Sequence, residues 1–82
     1  MNVPFPHEHA ARLQNPSKYS TCRRSNDKFG SGIHGIFCQR KDDQKWELQS
    51  LRFDVAKFTA AEAKAWLKEH GFVFILFEPA LD

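Results

Sequence analysis

The stretch from Phe58 to Phe72, FTAAEAKAWLKEHGF, constrains the fold most, because both ends of a helix are written into it. Thr59 stands three residues before Glu62, the capping-box spacing in which each side chain satisfies the other residue's free backbone N–H. Gly71 supplies a left-handed stop, and Phe72 falls where a Schellman turn folds an apolar residue back onto Leu67. Ala63, Trp66, Leu67 and His70 line one face, while Lys64, Lys68 and Glu69 point elsewhere. A helix of about eleven residues is marginal alone in water, so the dry stripe predicts a sheet beneath it. Trp66 is expected to anchor that core. His70, favoured by the dipole at the helix C-terminus, reads as a helix stop.

The sheet is expected from the residues before the helix. GIHGIFCQ (residues 32–39) alternates as a strand does, with Gly35 marking a bulge or a close backbone approach. RKDDQK is a polar turn and WELQSLRF a second strand, so Ile33 to Phe53 reads as a β-hairpin. Trp46 and Leu48 share one face of that strand but Leu51 and Phe53 the other. The phase slips at Gln49 and Ser50, which predicts a bulge there or a strand apolar on opposite sides at its two ends. After the helix, FVFILF (residues 72–77) has no alternation and reads as a strand buried on both faces. A right-handed crossover would lay it parallel to the second hairpin strand.

The first third is rich in Pro, Asn, Ser and Gly, and Pro4, Pro6 and Pro16 bias their neighbours away from helix. Residues 1–31 are therefore read as largely irregular, with HAARL fitting a short edge strand or a helical turn. SNDKFGSG is a loop whose glycines permit positive φ. One helix covers one face of a small sheet. Phe5, Leu13, Tyr19 and Phe29 are expected to wrap the other, or else a second copy or a foreign partner must cover it. The fold class is α+β in a single domain: a β-β-α-β unit over residues 32–82, with a looser N-terminal third.

Eight Phe and two Trp within 82 residues are too much bulky apolar material for a disordered chain. No apolar run approaches the length that crosses a membrane, and the first residues lack signal-peptide order, so a cytoplasmic location is expected. In that setting Cys22 and Cys38 are expected to be reduced thiols. His7, His9, Cys22, His34 and Cys38 include metal-ligand types, but their spacing matches none of the tight pairs that preset a zinc site, and no cofactor is expected. Phosphate loops, dinucleotide fingerprints and nucleophile elbows are missing, which argues against an enzyme.

Net charge is only +2, yet residues 1–45 hold eight Lys and Arg against four acids, and residues 46–82 hold four against six. Arg12, Arg23, Arg24, Arg40, Lys41 and Arg52 are the candidate binding surface. They would meet an acidic protein or the phosphates of a nucleic acid, with Tyr19, Phe29 or Trp46 available for stacking. A solvated face is the plain alternative.

The segments EHAARLQNPSKY, GIHGIFCQ, ELQSLRFDVAKFTAAEAKAWLKEHG and FEPA, in that order, resemble a family of small proteins from tailed phages and prophages, some encoded near head-maturation proteases. The most specific part is an aromatic residue followed by T-x-x-E-A-x-x-W-L-K-x-H. Together with the missing catalytic motifs, the resemblance implies a non-catalytic accessory protein of the host cytoplasm. It would act by protein contact, in head assembly or on a host factor, with a homodimer through the last strand as one form of contact. A nucleic-acid-binding module is the alternative.

Overall fold

A computed structural model describes residues 6–80 of the chain. The elements are β1 (Glu8–Arg12), a 3-10 turn (Pro16–Lys18), β2 (Tyr19–Ser25), β3 (Ile33–Arg40), β4 (Trp46–Asp54), α1 (Ala60–Glu69) and β5 (Leu76–Glu78). They form an α+β fold in which one helix packs on a five-stranded sheet of order β2-β3-β4-β1-β5, every neighbouring pair antiparallel.

Both helix ends are built from the residues that specified them. The Thr59 hydroxyl accepts from the Glu62 N–H (3.1 Å) and the Thr59 N–H donates to Glu62 Oε1 (2.9 Å). Gly71 takes φ +76°, and the Phe72 and Gly71 N–H groups donate to the Leu67 and Lys68 carbonyls at 2.9 and 3.2 Å, the Schellman pair. Ala63 and Leu67 then close onto Ala11, Ile33, Leu51 and Phe53, all buried. Trp66 is half-buried and meets Phe53 and Phe29 edge-on at 5.6 and 6.3 Å. His70 stacks on its outer side, with ring centroids 3.9 Å apart, and bonds back to the Trp66 carbonyl.

The β3–β4 hairpin pairs Ile33 with Phe53 and Gly35 with Leu51. A Cβ on Gly35 would sit 2.8 Å from the Phe37 ring and 3.0 Å from that of Phe29, so its hydrogen is what lets two aromatic rings cross the strand. The phase slip is a bulge. Ile36 pairs with Ser50 and Phe37 with Leu48, which leaves Gln49 as the extra residue. Its carbonyl takes the Leu13 and Gln14 N–H groups, and its side-chain amide donates to the Gln14 carbonyl.

Three expectations are corrected. The N-terminal third is not irregular: it contributes β1 and β2, and His9–Arg12 of HAARL lie in β1, which is interior to the sheet rather than at its edge. Ala10 and Ala11 pair with Arg52 and Leu51 of β4 on one side and with Glu78 and Phe77 of β5 on the other. The last strand runs in the direction of β4, as a crossover requires, but β1 separates the two. Only Leu76–Glu78 pair. Val73, Ile75 and Leu76 are 84%, 62% and 42% exposed, so the apolar run is an edge and not a doubly buried strand. Nor, among the described residues, do the expected aromatic side chains wrap the second face. Leu13 and Phe29 join the helix-side core, and Phe5 lies outside the described residues; Tyr19 is on the second face, among polar side chains.

Candidate functional site

Strand alternation places Glu8, Arg24, His34, Arg52 and Asp54 together on the face away from the helix. Arg24 clasps Glu8 with both guanidinium nitrogens, Nη1 to Oε1 at 3.0 Å and Nη2 to Oε2. That hydrogen-bonded pair holds the Glu8 carboxyl below its usual range against the opposing effect of burial. Arg52 approaches the same carboxylate at 3.7 Å, and burial lowers its own pKa while Glu8 works the other way. His34 is buried beneath them. Its Nδ1 accepts from the Asp27 backbone N–H (2.9 Å), so the ring proton sits on Nε2, between Glu8 Oε2 (3.7 Å) and Asp54 Oδ2 (3.8 Å).

Glu8, His34 and Asp54 bring their ligand-type atoms within 4.8 Å of one another. The arrangement is nevertheless wrong for a metal. A ligating histidine binds through a lone pair and donates its other ring N–H, whereas here the Nδ1 lone pair is already taken and Nε2 carries the proton. Glu8 is spanned by Arg24 besides. The cluster is a hydrogen-bonded ion network that lets a sheet face dispense with an apolar cover.

The remaining ligand types are dispersed. His9 is buried on the helix side, where Nδ1 accepts from the Ala80 N–H and Nε2 donates to the Phe58 carbonyl, both at 2.9 Å, so it ties β1 to the helix entry and to the end of β5. Cys22 and Cys38 are joined in a disulfide, which corrects the expectation of two thiols. They are directly opposed across β2 and β3 with Cα atoms 4.0 Å apart, a juxtaposition created by strand register that chain spacing does not announce.

The six expected binding residues do not form one patch. Arg24 and Arg52 belong to the Glu8 network. Arg40 is held by Asp42, Asp43 and Glu47 at 3.0, 3.3 and 3.6 Å. Arg12 lies in β1 opposite Ser50, Lys41 follows β3 in an exposed turn, and Arg23 projects from β2 over the ring of exposed Trp46 at 4.9 Å.

What the charge pattern did not reveal is an apolar groove on the other side of the molecule. Lys64, Lys68, Gly71, Phe72, Val73 and Phe74 line a depression of about 350 Å³ between α1 and the segment leading into β5. The Schellman turn creates it by sending the chain back along the helix. Phe72 and Phe74 turn inward onto the core while Val73 and Ile75 turn out. The lack of alternation in FVFILF was the available signal.

Fold and site together define a small antiparallel α+β domain with a polar, ion-paired sheet face and an apolar edge. Comparison with protein-family models, with curated proteins and with solved structures finds no match to this chain.

Proposed function

We propose that this is a non-catalytic accessory protein of a tailed phage or prophage that works by protein contact, in head assembly or on a host factor. The observation that carries the reading is the exposure of Val73, Ile75 and Leu76 in the apolar segment that forms and leads into the edge strand β5. Monomeric proteins seldom leave such an edge uncovered unless something docks there. The phage assignment rests on the sequence resemblance alone. No described helix is long and apolar enough to cross a membrane. In the host cytoplasm, where the reading places the protein, the Cys22–Cys38 bridge would face a reducing thiol pool.

A photo-crosslinker placed at Val73 in host cells making phage is expected to give an adduct with one protein, lost when Ile75→Asp is added. Crosslinks only to nucleic acid, or none, would reject the reading. A second reading, nucleic-acid binding, draws on Arg23 stacked over Trp46, a surface pair of the kind that receives an unstacked base. The carboxylate pairing of Arg24, Arg40 and Arg52 counts against it. Titration with DNA and RNA across salt decides it, since phosphate contacts weaken steeply with ionic strength.

A further inference from the structure

The groove between α1 and residues 72–74 carries two positive charges and no negative one. Its lining is Lys64, Lys68, Gly71, Phe72, Val73 and Phe74, and neither lysine is ion-paired among the described residues. Lys64 holds its ammonium 5.1 Å from the Phe77 ring centre, at the mouth of the apolar floor. The lysines are one helical turn apart, with Cβ atoms separated by about 6 Å. That spacing matches carboxylates at alternate positions of an extended chain, which recur about every 7 Å. Of the acids nearest in sequence, Glu62 is in the capping box, Glu69 follows Lys68 on the exposed helix surface but does not line the groove, and Glu78 lies on the opposite sheet face, paired with Ala10.

We infer that this groove docks an acidic and apolar segment of a partner protein, an apolar side chain entering over Phe72 and Phe74 while flanking Asp or Glu residues meet Lys64 and Lys68. The inference rests on the protein-contact reading above and names the partner's chemistry. A second copy pairing strand to strand is disfavoured by the edge itself. β5 has three residues and ends at Pro79, and short strands and proline both discourage edge pairing. An anionic lipid surface shares the charge preference, but a concave site suits an inserted side chain better than a flat headgroup layer.

The test uses the whole chain and a short fluorescein-labelled peptide of alternating Leu and Glu, with a Leu and Lys peptide as control. The acidic peptide is expected to bind at low salt, to weaken as salt rises, and to lose roughly tenfold or more in affinity in the Lys64→Glu, Lys68→Glu double variant. Both lysines are exposed, so the variant should keep its circular dichroism and melting temperature. Val73→Ser, which retains both charges, should weaken binding of both peptides alike. The inference is overturned if the acidic peptide fails to bind, if the lysine peptide binds equally, or if charge reversal changes nothing. It also falls if phosphatidylserine and phosphatidylcholine vesicles displace the peptide, or if sedimentation shows a dimer that Val73→Asp dissociates. A Val73 crosslink that survives charge reversal would sink the acidic chemistry and leave the protein-contact reading standing; loss of the crosslink in the unaltered protein would sink that reading instead.

Discussion

The Tyr19 hydroxyl lies buried where β2 begins and donates to a carboxylate oxygen of Glu47. Burial first, then the hydrogen bond to Glu47 and that residue's charge, push the phenol up to about 12, so it stays protonated far beyond the ordinary value near 10. The chain has one tyrosine, so phenolate absorbance reads this residue alone. The titration midpoint is expected near 12 in the intact protein. Glu47→Gln should lower it only partway, because burial remains. A midpoint of about 10 in the folded protein would contradict the described packing. The sequence offered Tyr19 as an apolar cover or a stacking platform. Its bond to Glu47 depends on β2 and β4 flanking β3, and no local pattern encodes that.

At the scale of elements, the turn that ends α1 also creates the groove. Gly71 is left-handed at φ +76°, and a Cβ there would meet nothing within 4 Å. Gly71→Ala therefore tests backbone strain without a packing clash. It should destabilise by about 1–2 kcal/mol, read as a lower urea midpoint with unchanged slope. Gly71→Asn should cost less, since asparagine tolerates that conformation. No loss in the alanine variant would mean the Schellman turn is not formed. The caps of α1 and the Gln49 bulge were legible in the sequence because each is chemistry between neighbours in the chain: a hydroxyl three residues from a glutamate, a missing Cβ, a slip in a two-residue period. The last strand was misread because six apolar residues in a row have the composition of a doubly buried strand, while its cover depends on a β1 more than sixty residues away.

For the whole molecule, the Cys22–Cys38 bridge fastens edge strand β2 to β3 across a sequence separation of 16. A loop of that size restricts the unfolded chain by about 3 kcal/mol in the chain-entropy description. Reduction should lower the unfolding free energy by that order, measured by denaturant titration with and without a dithiol. Equal midpoints in the two conditions would show that the bridge does not form. The candidate site divides in the same way as the fold. Lys64, Lys68 and Phe72–Phe74 were visible as an amphipathic helix and an unpatterned apolar run, yet the groove exists only because the chain doubles back. The basic residues were visible as a charge excess; tertiary packing set Arg24 and Arg52 against Glu8, while Arg40 is held by Asp42 and Asp43 of its own turn. By itself, the sequence determined that a capped helix would lie on a hairpin whose second strand slips phase at Gln49 and Ser50, because capping and periodicity act within a few residues. Tertiary structure alone decided that β1 enters the sheet beside β4, that two cysteines face each other and that the last strand stands at an edge, because strand partners are chosen by register and by the volume left between faces.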